Sequence, residues 1–309
     1  MRRSKTLAGY GLALAVFTLA GLSLAAPVLA QDAPQSTPQD TPSIADLQKS
    51  ADAGDATSQR LLGDAYFDGT GVDQDRAQAA QWYLKAAQAG DADAQTDLGA
   101  MYNQGDGVGK DDAASLMWNE KAAAQGQPRA EYNLGIAYDN GWGVTQDTAQ
   151  AFTWYQKSAD QGYAEAEFNL GNMYETGEGV TQDYAQAMTW YQKAADQTYP
   201  PAIYNLGNMY LTGEGVAADS AKGLALVEQA ANAGFPFAQG RLAGFYYDGE
   251  NGLPVDKVKA YGWALLGSDG GDEYSNDLLD QMDSGHELTD DQTKQASDFA
   301  DSVAGSSQQ

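Results

Sequence analysis

The chain repeats itself every 36 residues, and this period constrains its fold more than any other feature. A leucine, a tyrosine and a glycine each recur six times at this step. They are Leu62, Leu98, Leu134, Leu170, Leu206 and Leu242; Tyr66, Tyr102, Tyr138, Tyr174, Tyr210 and Tyr246; and Gly69, Gly105, Gly141, Gly177, Gly213 and Gly249. A fixed period of this length is typical of a solenoid, in which each unit covers the apolar face of its neighbour.

Apolar spacing predicts two helices in each unit. In the fourth unit the first helical face consists of Ala166, Leu170, Met173 and Tyr174, and the second of Ala187, Trp190, Tyr191, Ala194 and Ala195. Gly177 predicts a turn between the helices, and Asp183 with Gln186 predicts a capping box for the second helix. The pairs Asp75/Gln78 and Asp147/Gln150 repeat that box.

Glycines inside and after the helices carry further predictions. Gly171 stands mid-helix, where it costs roughly 1 kcal/mol relative to alanine, so we expect a close helix contact there. Gly90, Gly126, Gly162 and Gly234 are placed to end each unit as helix C-caps. Pro128, Pro200 and Pro236 suit the first turn of the following helix.

The full pattern, A-x-x-x-L-G-x-x-Y-x-x-G-x-G-V-x-x-D-x-x-x-A-x-x-W-Y-x-K-A-A-x-x-G, closely resembles the Sel1-like repeat, a relative of the tetratricopeptide repeat. The resemblance implies an all-α fold, a right-handed α-α superhelical solenoid of helix-turn-helix repeats. We expect the six repeats at 55–90, 91–126, 127–162, 163–198, 199–234 and 235–271. An N-terminal cap helix (44–54) and C-terminal capping helices (272–304) are expected to close the array.

The N-terminal residues indicate export. Residues 1–30 combine a basic start, an uncharged apolar run and small residues before Gln31, which is typical of a signal peptide cleaved after Ala30. The Pro- and Gln-rich residues 31–43 are expected to be a disordered linker, and residues 305–309 a frayed tail. The prediction is a periplasmic or secreted protein whose mature form is not embedded in a membrane.

Charge narrows the range of partners. The chain has 17 Lys and Arg against 43 Asp and Glu, and loss of residues 1–30 takes its formal charge from −26 to −29. Such a surface repels nucleic acid and anionic lipid, so neither is expected as a ligand. A basic partner suits it, but a solvated coat that keeps an exported protein soluble explains the charge equally well.

Catalytic motifs are missing from the sequence. The chain has no cysteine, and its only histidine is His286, outside the repeats, so His-based metal sites and Ser-His-Asp triads within the array are excluded. No S-x-x-K motif occurs, and Gly105 to Lys110 lacks the spacing of a phosphate loop. We therefore expect neither an enzyme nor a bound cofactor or metal.

Residues in register on the first helices are the candidate ligand-binding site. They are Asn133, Asn169 and Asn205; Asn172 and Asn208; and Tyr132, Phe168 and Tyr204. The resemblance implies that these positions lie at or near the groove that binds ligands in tetratricopeptide repeats. Asparagine amides can pair with an extended peptide backbone, and aromatic rings can hold side chains. The alternative is that the asparagines bond neighbouring helices across the repeat interface.

The resemblance implies an interaction scaffold that binds an extended segment of another envelope protein in its concave groove. The binding would regulate a sensor or stabilise an assembly, and the scaffold is expected to be a monomer. Two other functions stay open at this stage, a cell-wall or β-lactam-related enzyme and a peptidoglycan-binding protein.

Overall fold

The regular structure consists of helices throughout the part of the chain that the computed structural model describes, residues 42–306. The first eight are α1 (Ile44–Asp52), α2 (Ala56–Asp68), α3 (Arg76–Gln88), α4 (Ala92–Gln104), α5 (Asp112–Ala123), α6 (Pro128–Asn140), α7 (Thr148–Asp160) and α8 (Ala164–Thr176). They are followed by α9 (Tyr184–Asp196), α10 (Pro200–Thr212), α11 (Ser220–Asn232), α12 (Pro236–Asp248), α13 (Lys257–Asp269), α14 (Glu273–Ser284) and α15 (Asp290–Ser306). The predicted all-α solenoid of paired helices is confirmed. The signal peptide, most of the linker and the last three residues lie outside the described part.

The helices pair in chain order. We call the first helix of each repeat the A-helix (α2, α4, α6, α8, α10 and α12) and the second the B-helix (α3, α5, α7, α9, α11 and α13). Each A-helix packs against its own B-helix, and each B-helix against the next A-helix. The recurring leucine sits at this packed interface, for example Leu134 and Leu170, whose side chains are fully buried.

The mid-helix glycines are explained by close packing within each pair. A Cβ atom added to Gly171 would lie 2.4 Å from the ring of Tyr191 on the B-helix, and one on Gly135 would lie 2.5 Å from Tyr155. Contacts this short are not compatible with a side chain. The predicted close helix contact at Gly171 is therefore confirmed.

The capping boxes predicted for the B-helices form only in part. Asp183 Oδ1 accepts hydrogen bonds from the backbone N–H groups of Ala185 and Gln186, as predicted. In a full capping box the Gln186 side chain would accept from the backbone N–H of Asp183. Here that N–H donates to the Tyr174 carbonyl instead, at 2.8 Å. Asp75 and Asp147 make the same bond, to the carbonyls of Tyr66 and Tyr138. The full box at these B-helices was therefore a wrong prediction, since the recurring turn already satisfies the backbone N–H group of the cap residue.

The recurrent tryptophan and lysine of the B-helices stack on each other at the surface of the core. Lys193 Nζ lies 3.5 Å from the ring centroid of Trp190, and Lys85 Nζ lies 3.5 Å from that of Trp82. The rings are buried while the lysines are exposed. This arrangement is a packing feature in which the lysine stem covers the indole and its charge stays in water.

The last helix closes the apolar end of the array. At its start the reciprocal capping box is complete, because Thr289 N–H donates to Gln292 Oε1 and Gln292 N–H donates to Thr289 Oγ1. Ala296 and Ala300 on α15 are buried, and Ala296 belongs to the core of the last repeats. Between residues 42 and 306, no helix combines the length and the apolar character that crossing a bilayer requires.

Candidate functional site

Half-buried side chains recur on successive A-helices, and several of them contact the next A-helix, as Asn172 does with Asn205 and Asp97 with Arg129. We call this set the A-helix row: Asp64, Asp97, Tyr132, Asn133, Asp139, Glu165, Phe168, Asn169, Asn172, Glu175, Tyr204, Asn205 and Asn208. The row contains all eight residues predicted from sequence. All its members are half-buried except Phe168, which is 6% exposed.

The asparagines of the row bond across repeat boundaries. Asn205 Nδ2 donates to Asn172 Oδ1 at 3.2 Å, which joins α10 to α8. Asn133 Nδ2 donates to Asn119 Oδ1 at 3.0 Å, which joins α6 to the B-helix α5. Bonds of this kind agree with the alternative interpretation of the sequence, in which the asparagines join neighbouring helices across the repeat interface.

Tyrosines of the B-helices extend this network. The Tyr191 hydroxyl lies 2.6 Å from Asn172 Oδ1 and also contacts the Glu175 carboxylate. Three repeats earlier, the Tyr83 hydroxyl donates to Asp64 Oδ1 at 2.8 Å. Asn169 bonds Tyr132 and Tyr155, and Asn208 bonds Tyr204. Each asparagine of the predicted site is thus engaged by at least one neighbour, and the network orients the row.

The aromatic residues of the row pack against rings that the sequence prediction did not include. Tyr132 pairs with Tyr163 at a centroid distance of 5.2 Å. The corresponding pairs one and two repeats later are Phe168 with Tyr199 and Tyr204 with Phe235, both at 5.5 Å. Tyr163, Tyr199 and Phe235 recur at the 36-residue step. That recurrence was the signal from which they could have been found.

Half-buried carboxylates are the second feature that sequence analysis missed. Burial raises the pKa of Asp64, Asp139, Glu165 and Glu175, because the charged form loses hydration. Asp97 has a direct cationic partner, the Arg129 guanidinium on the next A-helix. Burial nevertheless raises its pKa, with the Arg129 charge acting in the opposite direction. Asp97 stands in register with Asn133, Asn169 and Asn205, so the sequence already placed it in that column. With many acidic residues in the sequence, only the fold could single out the other four.

The A-helix row does not present a catalytic arrangement among the described residues. His286 is exposed in the turn after α14, and its Nδ1 lies 3.2 Å from the Ser284 carbonyl oxygen. Within residues 42–306, no group of three or more acidic, histidine or cysteine side chains is arranged to hold a metal ion. What the row offers is hydrogen-bonding groups, aromatic rings and negative charge.

Comparison with known proteins decides the family. The Sel1 repeat model matches six consecutive segments, residues 56–91, 92–127, 128–163, 164–199, 200–235 and 236–272. The chain belongs to the Sel1 repeat family. Among solved structures, a Sel1 repeat protein from Oxalobacter formigenes is similar at 34% identity and a TM-score of 0.68, covering 71% of this chain and 89% of that one.

Two other solved structures are similar at lower identity. One is a protective antigen of uropathogenic Escherichia coli strains displaying an SLR fold, at 27% identity and a TM-score of 0.40, covering 86% of this chain and 72% of that one. The other is an immunity protein from Pseudomonas aeruginosa, at 22% identity and a TM-score of 0.43, covering 60% of this chain and 72% of that one. Among curated proteins, none is significantly similar to this sequence.

Sel1 repeats mediate protein–protein interaction, so this Sel1 repeat protein belongs to the class of interaction scaffolds. Proteins of this type are generally non-enzymatic. The enzymatic and peptidoglycan-binding alternatives are not favoured by the family match.

Proposed function

We propose that the protein is an exported scaffold that binds an extended segment of another envelope protein along the A-helix row. Removal of residues 1–30 would release it into the periplasm, where the bound segment belongs to a sensor or an assembly that the scaffold regulates or stabilises. The mature protein acts as a monomer, since a solenoid offers a long binding surface without a second subunit.

The observation that carries the proposal is the set of half-buried carboxylates on the row. Asp64, Asp139, Glu165 and Glu175 lose hydration on folding, and burial raises the pKa of each. Within residues 42–306, Asp64 alone of these four forms an ion pair, with Arg60 at 3.2 Å. A positively charged segment would compensate for the lost hydration, which supports a basic partner over an acidic one.

The asparagines and rings contribute shape and hydrogen-bonding capacity in this proposal. Asn172 and Asn208 are half-buried rather than sealed, so an amide edge can meet an incoming peptide backbone. Asn133, Asn169 and Asn205 orient the row through their bonds to neighbouring helices. Tyr132, Phe168 and Tyr204 form the aromatic lining, a composition typical of interfaces that hold a partner's side chains.

Photo-crosslinking in living cells tests the binding surface. A photoreactive phenylalanine analogue replaces Asn208 on the row or, as a matched control, Gln192, which is exposed on the B-helix α9. We expect a discrete adduct with an envelope protein from position 208 only. Equal adducts from both positions, or none from position 208 and its neighbour Asn172, would contradict the proposed surface.

Export is tested separately. Osmotic shock should release the protein with periplasmic markers, and sequencing of its N-terminus should begin at Gln31. Retention in the cytoplasm with Met1 intact would refute the export step and leave the scaffold class unaffected.

A further inference from the structure

Glu165 lies in the first turn of α8, and its charge acts on tyrosines from three successive repeats. Tyr163 precedes it by two residues, and Tyr132 and Tyr199 belong to the repeats before and after. Beyond the effect of burial, the Glu165 charge raises the pKa of all three tyrosines. The field of one carboxylate thus reaches three phenol groups.

No cation of the described chain neutralises Glu165. In residues 42–306, no Lys or Arg nitrogen lies within the 4.0 Å that defines an ion pair with its carboxylate. The cationic residue at the equivalent place in the preceding repeat, Arg129, is held by Asp97. Glu165 is half-buried, and its burial raises its pKa. A backbone hydrogen bond at the N-terminal end of α8 lowers the pKa of Glu165, but burial has the larger effect, so a cation brought to the carboxylate would stabilise its charged form.

Two of these tyrosines, Tyr163 and Tyr199, occupy positions at which other repeats have a helix cap. Asp55, Asp91 and Gln127 each cap the A-helix of their repeat with a side-chain hydrogen bond. Tyr163 and Tyr199 stand at the same position and make no such bond. Their rings instead pack at 5.2 Å from Tyr132 and 5.5 Å from Phe168. The repeat that contains Glu165 and the repeat after it therefore have an aromatic ring where a helix cap would otherwise stand.

We propose that Glu165 with Tyr132, Tyr163 and Tyr199 forms a binding site for the cationic head of a lysine or arginine side chain of the partner. The carboxylate supplies the opposite charge, and aromatic rings attract a cation through their negative faces. The occupant is inferred from charge, because the Glu165 carboxylate forms no ion pair within residues 42–306 and the chain as a whole carries a formal charge of −26. A divalent metal fits poorly, since it requires several oxygen ligands and Glu165 is a single carboxylate.

This inference deepens the proposed function and rests on it for the source of the side chain. Small probes can test the site without knowledge of the partner. The probes are Nα-acetyl-lysine methylamide and Nα-acetyl-arginine methylamide, with Nα-acetyl-norleucine methylamide as the neutral control. Binding to the mature protein is followed by NMR of ¹³C-labelled tyrosine rings.

We expect the cationic probes to shift the ring signals of Tyr163 and Tyr199, and the norleucine probe to leave them in place. Glu165→Gln keeps the shape and removes the charge, so it should weaken probe binding by at least about fivefold. Tyr199→Leu should weaken it as well. Glu178→Gln, which removes the same charge from the exposed turn after α8, should change nothing.

Several results would overturn the site: no shift with either cationic probe, equal shifts with norleucine, or unchanged affinity in Glu165→Gln. Thermal unfolding of each variant shows whether it is folded. If Glu165→Gln is not folded, probe binding to Tyr199→Leu decides whether the site exists. If the probes fail to bind but position 208 gives adducts, binding along the A-helix row remains supported and the cation site is refuted. Probe binding without adducts would leave the site standing and refute the proposed partner segment.

Discussion

The ring of Tyr191 occupies the space that a side chain on Gly171 would need. A Cβ atom on Gly171 would approach that ring to 2.4 Å. The Tyr191 side chain is fully buried, so it cannot move toward solvent to make room. The glycine lets α8 and α9 approach closely enough for the Tyr191 hydroxyl to reach Asn172 on the A-helix row. Packing inside a repeat and the orientation of the candidate site therefore depend on the same contact.

Gly171→Ala should destabilise the protein, although alanine is the better helix former by roughly 1 kcal/mol. The added methyl group must displace the buried ring, and overpacking of this kind costs about 1–3 kcal/mol. Urea unfolding measures the change. Gly305→Ala on α15 is the control, since a Cβ there meets nothing within 4 Å. Equal midpoints for the two variants would show that the Gly171 contact is not tight.

Ala89→Gln should stabilise the first repeat. In repeats two to four, a buried Gln or Glu accepts a hydrogen bond from a glutamine 30 residues later, in the pairs Gln95–Gln125, Glu131–Gln161 and Glu167–Gln197. Gln59 is the equivalent acceptor in repeat one, its Oε1 is buried without a partner, and Ala89 stands where the glutamine would be. The added donor should contribute about 1 kcal/mol.

The control for this prediction is Ala233→Gln in repeat five. There the equivalent acceptor position holds Ile203, which is 2% exposed and has no side-chain acceptor. We expect a higher melting temperature from Ala89→Gln and no gain from Ala233→Gln. A gain of the same size from both would indicate a helix-end effect rather than the hydrogen bond.

Thr198→Gly should also stabilise the protein. Thr198 ends repeat four with a φ of 61°, where the other five repeats have Gly90, Gly126, Gly162, Gly234 and Gly271 at positive φ. A β-branched residue in the left-handed region is strained by roughly 1–2 kcal/mol. The reverse change, Gly162→Thr, should lower the unfolding midpoint by a similar amount. A lower midpoint for Thr198→Gly would mean that the threonine side chain contributes a contact that outweighs its strain.

Stability should fall as the pH rises from mildly acidic to neutral. Because burial raises the pKa of Glu175, the folded state binds a proton more tightly than the unfolded chain does. Its favourable contribution is therefore present below the unfolded pKa and is lost as pH rises through the raised folded pKa. Asp64, Asp139 and Glu165 act in the same direction.

Thermal unfolding between pH 4.5 and 7.5 checks this expectation. The wild type should melt at a higher temperature at the acidic end of this range. Glu175→Gln should show a weaker pH dependence, because it removes one titrating carboxyl group. Its amide oxygen can still accept the hydrogen bond from Tyr191, so the fold should be retained. Glu120→Gln, an exposed site on α5, should reproduce the wild-type profile. A steeper dependence of the melting temperature on pH in Glu175→Gln would contradict the prediction that Glu175 destabilises the fold as the pH rises.

Periodicity predicted much of the fold because every unit repeats the same local signals. Leucine spacing, turn glycines and Asp N-caps act within a few residues, so each is readable from sequence, and their recurrence at 36 residues implied stacking. The capping boxes show the limit of this reasoning. The glutamine at Gln186 fitted the motif, but the Asp183 N–H was already satisfied by the Tyr174 carbonyl through the turn.

The sequence by itself determined the repeat, its two helices and the register in which residues such as Asn172 and Asn208 recur. Only the tertiary structure decided which of those residues touch, because Asn172 meets Asn205 through the approach of two helices that are separate in sequence. It also distinguished half-buried Glu165 from the many solvated carboxylates of an acidic chain. Burial and the lack of a cationic neighbour are properties of packed helices, and no local pattern encodes them.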